Sequence, residues 1–311
     1  MNQYIDIHPD VRDALLKHKP VVALESTIIT HGMPYPENVN MARKVESIIK
    51  KEGAVPATIA IINGVIKIGL TDHEIEYLAN AKDVIKVSKR DFGYVLSQKR
   101  DGATTVSGTM LAANMAGIKV FATGGIGGVH REGQMTFDIS RDLEELSEID
   151  VAVVCAGAKA ILDLKLTLEY LETKGVEVLG YQTKELPAFY TRESGLELDY
   201  FMKDEKAIAS LMHAKWAIGL KGGLLIANPI PHEFSMDSRE IEMMIEKALI
   251  EAKNKGIQGK ETTPFLLAKI KDLTHGDSLN ANLELVYHNA LIASKIAIEY
   301  EAHKNHQTKD I

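Results

Sequence analysis

The chain has a single cysteine, Cys155, among its 311 residues. An intramolecular disulfide is therefore excluded, and so is a zinc site built from several cysteine thiolates. Basic residues are also scarce, since 36 Lys and Arg stand against 43 Asp and Glu, which gives a formal net charge of −7. A nucleic-acid polymer requires a basic surface that neutralises its phosphates, so this balance argues against a polymer-binding protein.

Long hydrophobic runs are absent as well, because no stretch reaches the ~18 apolar residues that a membrane-spanning helix requires. Residues 1–19 carry Asp6, Asp10 and Asp13 without a long apolar run, which is unlike a secretory signal. With 45% hydrophobic and 25% charged residues, the composition is that of an ordinary folded protein. We therefore expect a cytoplasmic globular protein with a sizeable core and no membrane partner.

What the sequence does contain is an alternation of short apolar runs, rich in Val and Ile, with longer segments of helical periodicity. The strand-like runs are 21–24, 57–62, 84–87, 118–122, 151–155, 176–179 and 224–227, and helical periods include 107–116, 140–148, 160–174 and 204–220. Strands that alternate with helices predict a largely parallel or mixed sheet covered on both faces. Helical segments at 238–255, 260–273 and 279–302 then follow without strands. The predicted fold class is α/β, a three-layer α/β/α arrangement with a helical C-terminal layer.

Neither a low-complexity linker nor an internal repeat divides the chain. We therefore predict one domain over residues 1–311, with a polar, frayed tail at 303–311. Local signals predict where helices begin and end: Thr71 and Glu74 have the spacing of a capping box, and Gly53 is typical of a helix C-terminus.

Glu25 directly follows the first apolar run, and ligands of open α/β sheets bind at the carboxyl ends of such strands. The residues after it, 26–29, are unusually apolar for a surface loop. A carboxyl group in such surroundings has a raised pKa and can deliver a proton near neutrality. The alternative interpretation is a helix-cap or surface carboxylate.

Lys159 follows a turn of small residues after the run 151–155. A lysine that is desolvated there loses part of its preference for charge, and the neutral amine can attack a carbonyl to form a Schiff base. The alternative is a surface lysine that opens the next helix, which is the usual role of a single lysine.

The glycine-rich turn 124–128 lacks the final glycine of the dinucleotide-binding pattern, and no Walker pattern is present. Its backbone N–H groups could still approach an anion. Farther along, Ser140 has the position of a helix N-cap and Asp142 that of a first-turn acid. Asp138 precedes this cap, and a lone carboxylate with water molecules is a normal way to hold Mg²⁺ or Mn²⁺.

Six long motifs occur in a fixed order along the chain. They are 24–36 (LESTIITHGMPYP), 86–91 (KVSKRD), 102–110 (GATTVSGTM), 122–131 (ATGGIGGVHR), 136–143 (TFDISRDL) and 154–159 (VCAGAK). Together they resemble the motifs of the pseudouridine-5′-phosphate glycosidase family, also called pseudouridylate synthase, over about residues 10–300.

The resemblance implies reversible cleavage of the C–C glycosidic bond of pseudouridine 5′-phosphate to uracil and ribose 5-phosphate. It also implies a homotrimer that holds one Mn²⁺ per subunit, with Mg²⁺ or another divalent ion as an alternative. By motif position, Lys159 matches the family's nucleophile, which forms a Schiff base with the ring-opened sugar, Glu25 its proton donor and Asp138 its metal ligand. The positions that match substrate contacts are Lys86, Val106, Thr123, Ser140, Arg141, Asp142 and Asn282.

Three alternatives remain beside this interpretation. A sugar or nucleoside kinase-like enzyme would need a nucleotide-phosphate loop and a catalytic aspartate at a glycine-rich helix start, and neither is found. A non-catalytic pentose-phosphate binding module would bind ribose 5-phosphate without releasing or consuming uracil. A family member that acts on a related C-nucleoside or pigment precursor would differ in its pocket residues.

Overall fold

The computed structural model describes residues 2–257 and 259–307. Its strands are β1 (Ile5–Ile7), β2 (Val21–Leu24), β3 (Val55–Ile62), β4 (Val65–Ile68), β5 (Ile85–Val87), β6 (Gly102–Thr104), β7 (Val120–Ala122), β8 (Val129–His130), β9 (Ala152–Cys155), β10 (Leu162–Asp163), β11 (Glu177–Tyr181), β12 (Tyr200–Met202) and β13 (Leu224–Ala227).

The α-helices are α1 (Pro9–Leu16), α2 (Glu37–Glu52), α3 (Asp72–Asn80), α4 (Phe92–Ser97), α5 (Val106–Ala116), α6 (Gly133–Thr136), α7 (Arg141–Glu148), α8 (Leu164–Thr173), α9 (Glu205–Ala217), α10 (Ser238–Asn254), α11 (Thr262–Leu273) and α12 (Asp277–Gln307). Short 3₁₀ turns lie at Lys89–Asp91, His232–Phe234 and Gly259–Glu261, and a π-helical turn lies at Ile28–Gly32. No helix in the described part of the chain is both long and apolar enough to cross a bilayer.

The central sheet is mixed, with a parallel centre, as the sequence predicts. Its path is β1-β4-β3-β2-β7-β9-β13-β11-β12, and β6 joins β3 and β5 beside this path. The strands from β2 to β12 pair in parallel, with Ala122 of β7 opposite Leu24 on one side and Val154 on the other. The second half of β3 pairs antiparallel with β4 and β6 instead.

Helices cover the two faces of this sheet. Strands β2, β9 and β13 are buried along their whole length, which explains why they read as continuous apolar runs rather than as alternating patterns. On β2, α5 packs from one face, where it also contacts α7, and α12 packs from the other, between α2 and α9. The three-layer α/β/α prediction is thus confirmed.

The helical C-terminal layer has two parts. The long helix α12 lies directly on β2, β7 and β9, whereas α10 and α11 pack on each other, and α11 rests on α12. The frayed tail predicted at 303–311 falls partly on α12, which continues to Gln307, and residues 308–311 lie outside the described part of the chain.

The capping signals occur where the sequence predicts them, and one predicted helix start is the exception. Thr71 and Glu74 form the predicted capping box at α3, and Gly53 ends α2 in the left-handed conformation with φ 95°. The exception is the helix predicted at 160–174, which begins only at Leu164 after the short strand β10. Asp163 caps it, since its Oδ1 accepts a 2.9 Å hydrogen bond from the Leu166 backbone.

Asn289 connects α12 to the carboxyl end of β7. Its Nδ2 donates to the carbonyl oxygens of Thr123 at 2.8 Å and Gly124 at 3.3 Å, and its Oδ1 accepts from Asn228 Nδ2 at 2.8 Å. The side chain is fully buried. This polar contact holds the loop after β7 in place, because buried carbonyl groups that lose their donor remain unsolvated.

We expect the Asn289→Ala substitution to lower the free energy of unfolding by about 2–3 kcal/mol, because it leaves the buried Thr123 carbonyl without its donor and removes one of two hydrogen-bond partners from the Gly124 carbonyl and from the Asn228 amide. The measurement is urea denaturation followed by circular dichroism. Asn280→Ala, at an exposed position of the same helix, is the matched control and should change stability by less than ~0.5 kcal/mol. Equal losses in the two variants would contradict this role.

Candidate active site

A cavity of about 670 Å³ lies at the carboxyl edge of the sheet, and we call it the front cavity. Eight of the ten residues selected from the sequence line it: Glu25, Lys86, Val106, Asp138, Ser140, Arg141, Asp142 and Lys159. The other two, Thr123 and Asn282, line an adjoining cavity of about 50 Å³, which we call the waist. Since Glu25, Lys86 and Lys159 line both spaces, all ten residues are brought to one continuous region.

The sheet itself explains this convergence. Glu25 follows β2, Thr123 follows β7 and Lys159 comes four residues after β9, and these three strands are parallel neighbours. The Lys159 backbone is fixed by a 3.1 Å hydrogen bond from its N–H to the Ile126 carbonyl. The turn before it requires glycine, because Gly157 has φ +82° and a Cβ there would lie 2.5 Å from the Pro187 carbonyl oxygen.

Glu25 lies half-buried between the front cavity and the waist. Desolvation raises the pKa of its carboxyl group, against the opposing effects of the Lys159 ammonium and of the hydrogen bond from Thr123. That bond joins Thr123 Oγ1 to Glu25 Oε1 at 2.5 Å. The direction of this pKa shift confirms the expectation drawn from the apolar residues after Glu25.

Asp142 is a bridge between two loops of the front cavity. Its Oδ1 accepts from the Ser107 backbone and its Oδ2 from the Gly127 backbone, both at 2.8 Å. Gly127 leaves no space for a side chain, because a Cβ there would lie 2.2 Å from Ser140 Oγ. The glycine-rich turn thus serves close packing against the start of α7, which Ser140 caps as predicted.

The helix predicted at 107–116 begins one residue earlier in the structure, at Val106 of α5. Thr105 is its N-cap, and its Oγ1 accepts a 3.3 Å hydrogen bond from the Gly108 backbone. Thr105 and Val106 both line the front cavity. The positive end of the α5 dipole therefore lies at the cavity, where an anion is favoured.

Lys89, Arg90 and Arg141 line the front cavity but not the waist, and we call this group the cationic end. Arg141 Nε donates to Glu145 Oε1 at 2.7 Å, and Lys89 Nζ donates to Glu148 Oε2 at 2.5 Å. These pairs hold the cations beside the cavity, and such a group suits a phosphate ligand. Sequence reasoning selected Arg141 but missed Lys89 and Arg90, although both lie in the motif 86–91.

Asp138 has an exposed side chain, and its Oδ2 lies 4.0 Å from Nδ1 of His130, another residue that sequence reasoning missed. Burial lowers the pKa of His130, which favours the neutral imidazole that can bind a metal ion. No group of three or more His, Cys, Asp or Glu residues suited to a metal occurs among the described residues. One carboxylate and a nearby imidazole fit a largely hydrated Mg²⁺ or Mn²⁺ ion, not a structural zinc.

Asn282 lines the waist and carries a buried hydrogen-bond acceptor that has no partner. The side chain is only 8% exposed, and its Oδ1 has no hydrogen-bond partner in the described structure. A buried amide oxygen without a donor is costly, so this atom is positioned for a ligand N–H or O–H group.

A family model described as "Indigoidine synthase A like protein" matches residues 10–299 of the chain. Among curated relatives, the pseudouridine-5′-phosphate glycosidase of Caldanaerobacter subterraneus is 60% identical over 96% of this chain and 97% of its own length. The enzyme of the same name from Mycoplasmopsis agalactiae is 61% identical over 94% of this chain and 97% of its own.

Solved structures agree with these relatives. The prealnumycin C-glycosynthase in complex with ribulose 5-phosphate superposes with a TM-score of 0.91 at 38% identity, over 98% of this chain and 100% of that chain. An indigoidine synthase A-like protein from Thermotoga maritima superposes with a TM-score of 0.87 at 33% identity, over 96% of both chains.

The raised pKa of Glu25 predicts a pH-dependent cost to stability. Between the ordinary carboxyl pKa of ~4.3 and the higher folded value, the folded protein binds more protons than the unfolded chain, so stability falls as the pH rises. Glu25→Gln keeps an acceptor for Thr123 and removes the charge. Its free energy of unfolding should therefore exceed that of the parent protein, and the difference should grow as pH increases through this window.

Urea denaturation at a series of pH values from about 5 to 8 measures this difference. Glu172→Gln, at an exposed helical position, is the control and should show no such growth. A Glu25→Gln difference that stays constant or shrinks with rising pH would show that Glu25 is not held in a desolvated site.

Proposed function

The chain belongs to the indigoidine synthase A-like family, and we propose that it is a pseudouridine-5′-phosphate glycosidase. It reversibly cleaves the C–C glycosidic bond of pseudouridine 5′-phosphate, giving uracil and ribose 5-phosphate. The relatives that carry this name are about 60% identical over nearly the whole chain. The proposal rests on one observation: Lys159 and Glu25 line the same cavity as the residues of the cationic end.

A carbon leaving group requires different chemistry from an ordinary glycoside. Glycosidases that cleave bonds to oxygen use two carboxylates and an oxocarbenium-like transition state. Because a carbanion is a poorer leaving group than an alcohol, a nucleophilic lysine offers a better route. Its amine supplies electrons to C1′ as the base departs, so the sugar is left as an iminium instead of an oxocarbenium ion.

In the proposed sequence, the neutral Lys159 amine forms a bond to C1′ while the C1′–O4′ ring bond breaks and O4′ takes a proton. The C1′–C5 bond then breaks, its electron pair is protonated at uracil C5, and the nitrogen lone pair forms the iminium. Water hydrolyses the iminium to release ribose 5-phosphate and the free lysine. Glu25 is the proton donor in this proposal, because desolvation raises its pKa above the ordinary carboxyl value and so strengthens its hold on a proton.

The remaining lining residues bind and orient the substrate in this proposal. The phosphate lies at the cationic end, near the N-termini of α5 and α7, where charge and free backbone N–H groups favour it. Asp142 orients both loops through its two backbone contacts. The proposed substrate contacts are Lys86, Val106, Thr123, Ser140, Arg141, Asp142 and Asn282.

The proposal also includes one Mn²⁺ per subunit, with Mg²⁺ or another divalent ion as a substitute. Asp138 would hold it, together with water molecules, beside His130. When bound, such an ion supplies positive charge that polarises substrate oxygens and favours their negative forms.

The homotrimeric state implied by the resemblance and the cytoplasmic location predicted from the composition stay part of the proposal. The single cysteine is buried and unpaired, which is typical of proteins from a reducing compartment. A second candidate activity is favoured by the C-glycosynthase neighbour: joining a pentose phosphate through a C-glycosidic bond to an acceptor other than uracil. The mass of the product distinguishes the two acceptors.

We expect the purified protein to form pseudouridine 5′-phosphate from uracil and ribose 5-phosphate with Mn²⁺, and Lys159→Ala to abolish this reaction. Borohydride with ribose 5-phosphate should add one pentose phosphate, on Lys159 alone, because only an iminium at that nitrogen is reduced. Product mass and ultraviolet absorbance report turnover, and peptide mass spectrometry locates the adduct.

Lys165→Ala, an exposed lysine of α8, is the matched control and should retain turnover and adduct. Turnover that survives in Lys159→Ala would refute the Schiff-base mechanism. A parent protein that makes no product with any divalent ion would refute the function.

For the metal, we expect chelation to lower turnover and Mn²⁺ to restore it, and Asp138→Asn to weaken Mn²⁺ binding by replacing a charged ligand with a neutral one. Electron paramagnetic resonance of free Mn²⁺ measures the affinity without reference to activity. Asp199→Asn changes the same functional group at an exposed position of another loop and serves as the control. Equal Mn²⁺ affinities in the two variants would exclude Asp138 as the ligand.

A further inference from the structure

A third cavity, of about 370 Å³, lies on the other side of Asn282, and we call it the rear cavity. Its floor is formed by buried Met33, Tyr190 and Ser278, and its outer rim includes Ala268, an exposed residue of α11. None of the residues selected from the sequence except Asn282 contributes to it.

The three cavities form a row. The front cavity and the waist share Glu25, Thr27, Lys86, Lys159 and Thr263. The waist and the rear cavity share His31, Gly32, Pro264, Leu267 and Asn282. The reactive pair of Lys159 and Glu25 therefore stands between two spaces, each of which is larger than the waist that connects them.

The two large spaces differ in charge. Lys89, Arg90 and Arg141 line the front cavity, whereas Lys271 is the one lysine or arginine among the described lining residues of the rear cavity, which include no Asp or Glu. Burial lowers the pKa of His31, so this residue is neutral near physiological pH. The rear cavity thus suits an uncharged polar heterocycle, and the front cavity a sugar phosphate.

The difference in charge between the two cavities is relevant to the proposed reaction. When the C1′–C5 bond breaks, the sugar remains bonded to Lys159 and its phosphate remains at the cationic end, so the front cavity is still filled. The freed base then lies beside the waist, whose lining includes Asn282 with its unpartnered amide oxygen.

We propose that the rear cavity is the route by which the uncharged base leaves and enters, separate from the front opening used by the sugar phosphate. This inference rests on the proposed function. The waist is the narrowest part, so passage requires the side chains shared with the rear cavity, Leu267 and Asn282 among them, to rotate.

A reversible plug tests this route. Ala268→Cys places a thiol at the rim of the rear cavity, away from the front cavity and the waist. The native Cys155 is fully buried, and burial raises its pKa to about 12, so it does not compete for thiol reagents. A bulky aromatic methanethiosulfonate then attaches through a disulfide, and dithiothreitol removes it from the same folded protein.

With the plug attached, we expect kcat for cleavage and kcat/KM for uracil in synthesis each to fall about tenfold or more, a barrier of about 1.4 kcal/mol. Borohydride trapping of ribose 5-phosphate on Lys159 should keep its rate, because that ligand uses the front opening. Dithiothreitol should restore turnover. Ala214→Cys, an equivalent exposed position on α9, carries the same reagent and should lose no activity.

Two results would overturn the rear route: unchanged turnover with the thiol fully labelled, or an equal loss of turnover and of ribose 5-phosphate trapping. A protein that fails to cleave pseudouridine 5′-phosphate before labelling fails at the proposed function instead, and the rear route falls with it.

Discussion

The arrangement of the site depends on one carboxylate. Asp142 accepts two backbone hydrogen bonds of 2.8 Å, one from the first turn of α5 and one from the glycine-rich turn after β7. These contacts join three segments that are far apart in sequence, and the bare Cα of Gly127 lets them approach. A buried carboxylate is costly unless its oxygens accept hydrogen bonds. The two loops and the start of α7 therefore depend on one another for their stability. The positions of Val106, Ser140 and Arg141 follow from this connection.

The carboxyl group of Glu25 is in a different environment from that of Asp142. The two oxygens of Asp142 accept backbone hydrogen bonds, whereas Glu25 is desolvated and receives one side-chain hydrogen bond from Thr123. The fold therefore holds Glu25 in a state that costs stability at neutral pH, which is a common property of catalytic groups. The rigid sheet below it, with β2 and β7 buried on both faces, makes this cost tolerable.

The parallel centre of the sheet could be predicted from the sequence, because buried strands such as β9 and β13 are short, continuous apolar runs. Sequence reasoning missed the short strands β1, β4, β6, β8, β10 and β12, which have two to four residues each and give little periodic signal. It also missed that residues 160–163 are not helical. In the site, the strand-end rule selected Glu25 and Lys159, but His130, Lys89 and Arg90 could not be separated from ordinary surface residues. Only tertiary packing turns these three side chains toward the same cavity.

The C-terminal layer shows which side-chain contacts a local sequence pattern cannot predict. Its three helices read as a covering for the sheet, and α12 does cover β2, β7 and β9. Asn289 and Asn282 share this helix but differ in their contacts: Asn289 donates to the carbonyls after β7, whereas Asn282 lines the waist and its amide oxygen has no partner in the described structure. Because α12 is fixed by the first, the second is held at a defined place between Lys159 and the rear cavity. A net charge of −7 is thus compatible with the proposed phosphate site, because Lys89, Arg90 and Arg141 lie together at the front cavity, whereas Lys271 is the one lysine or arginine among the described residues that line the rear cavity.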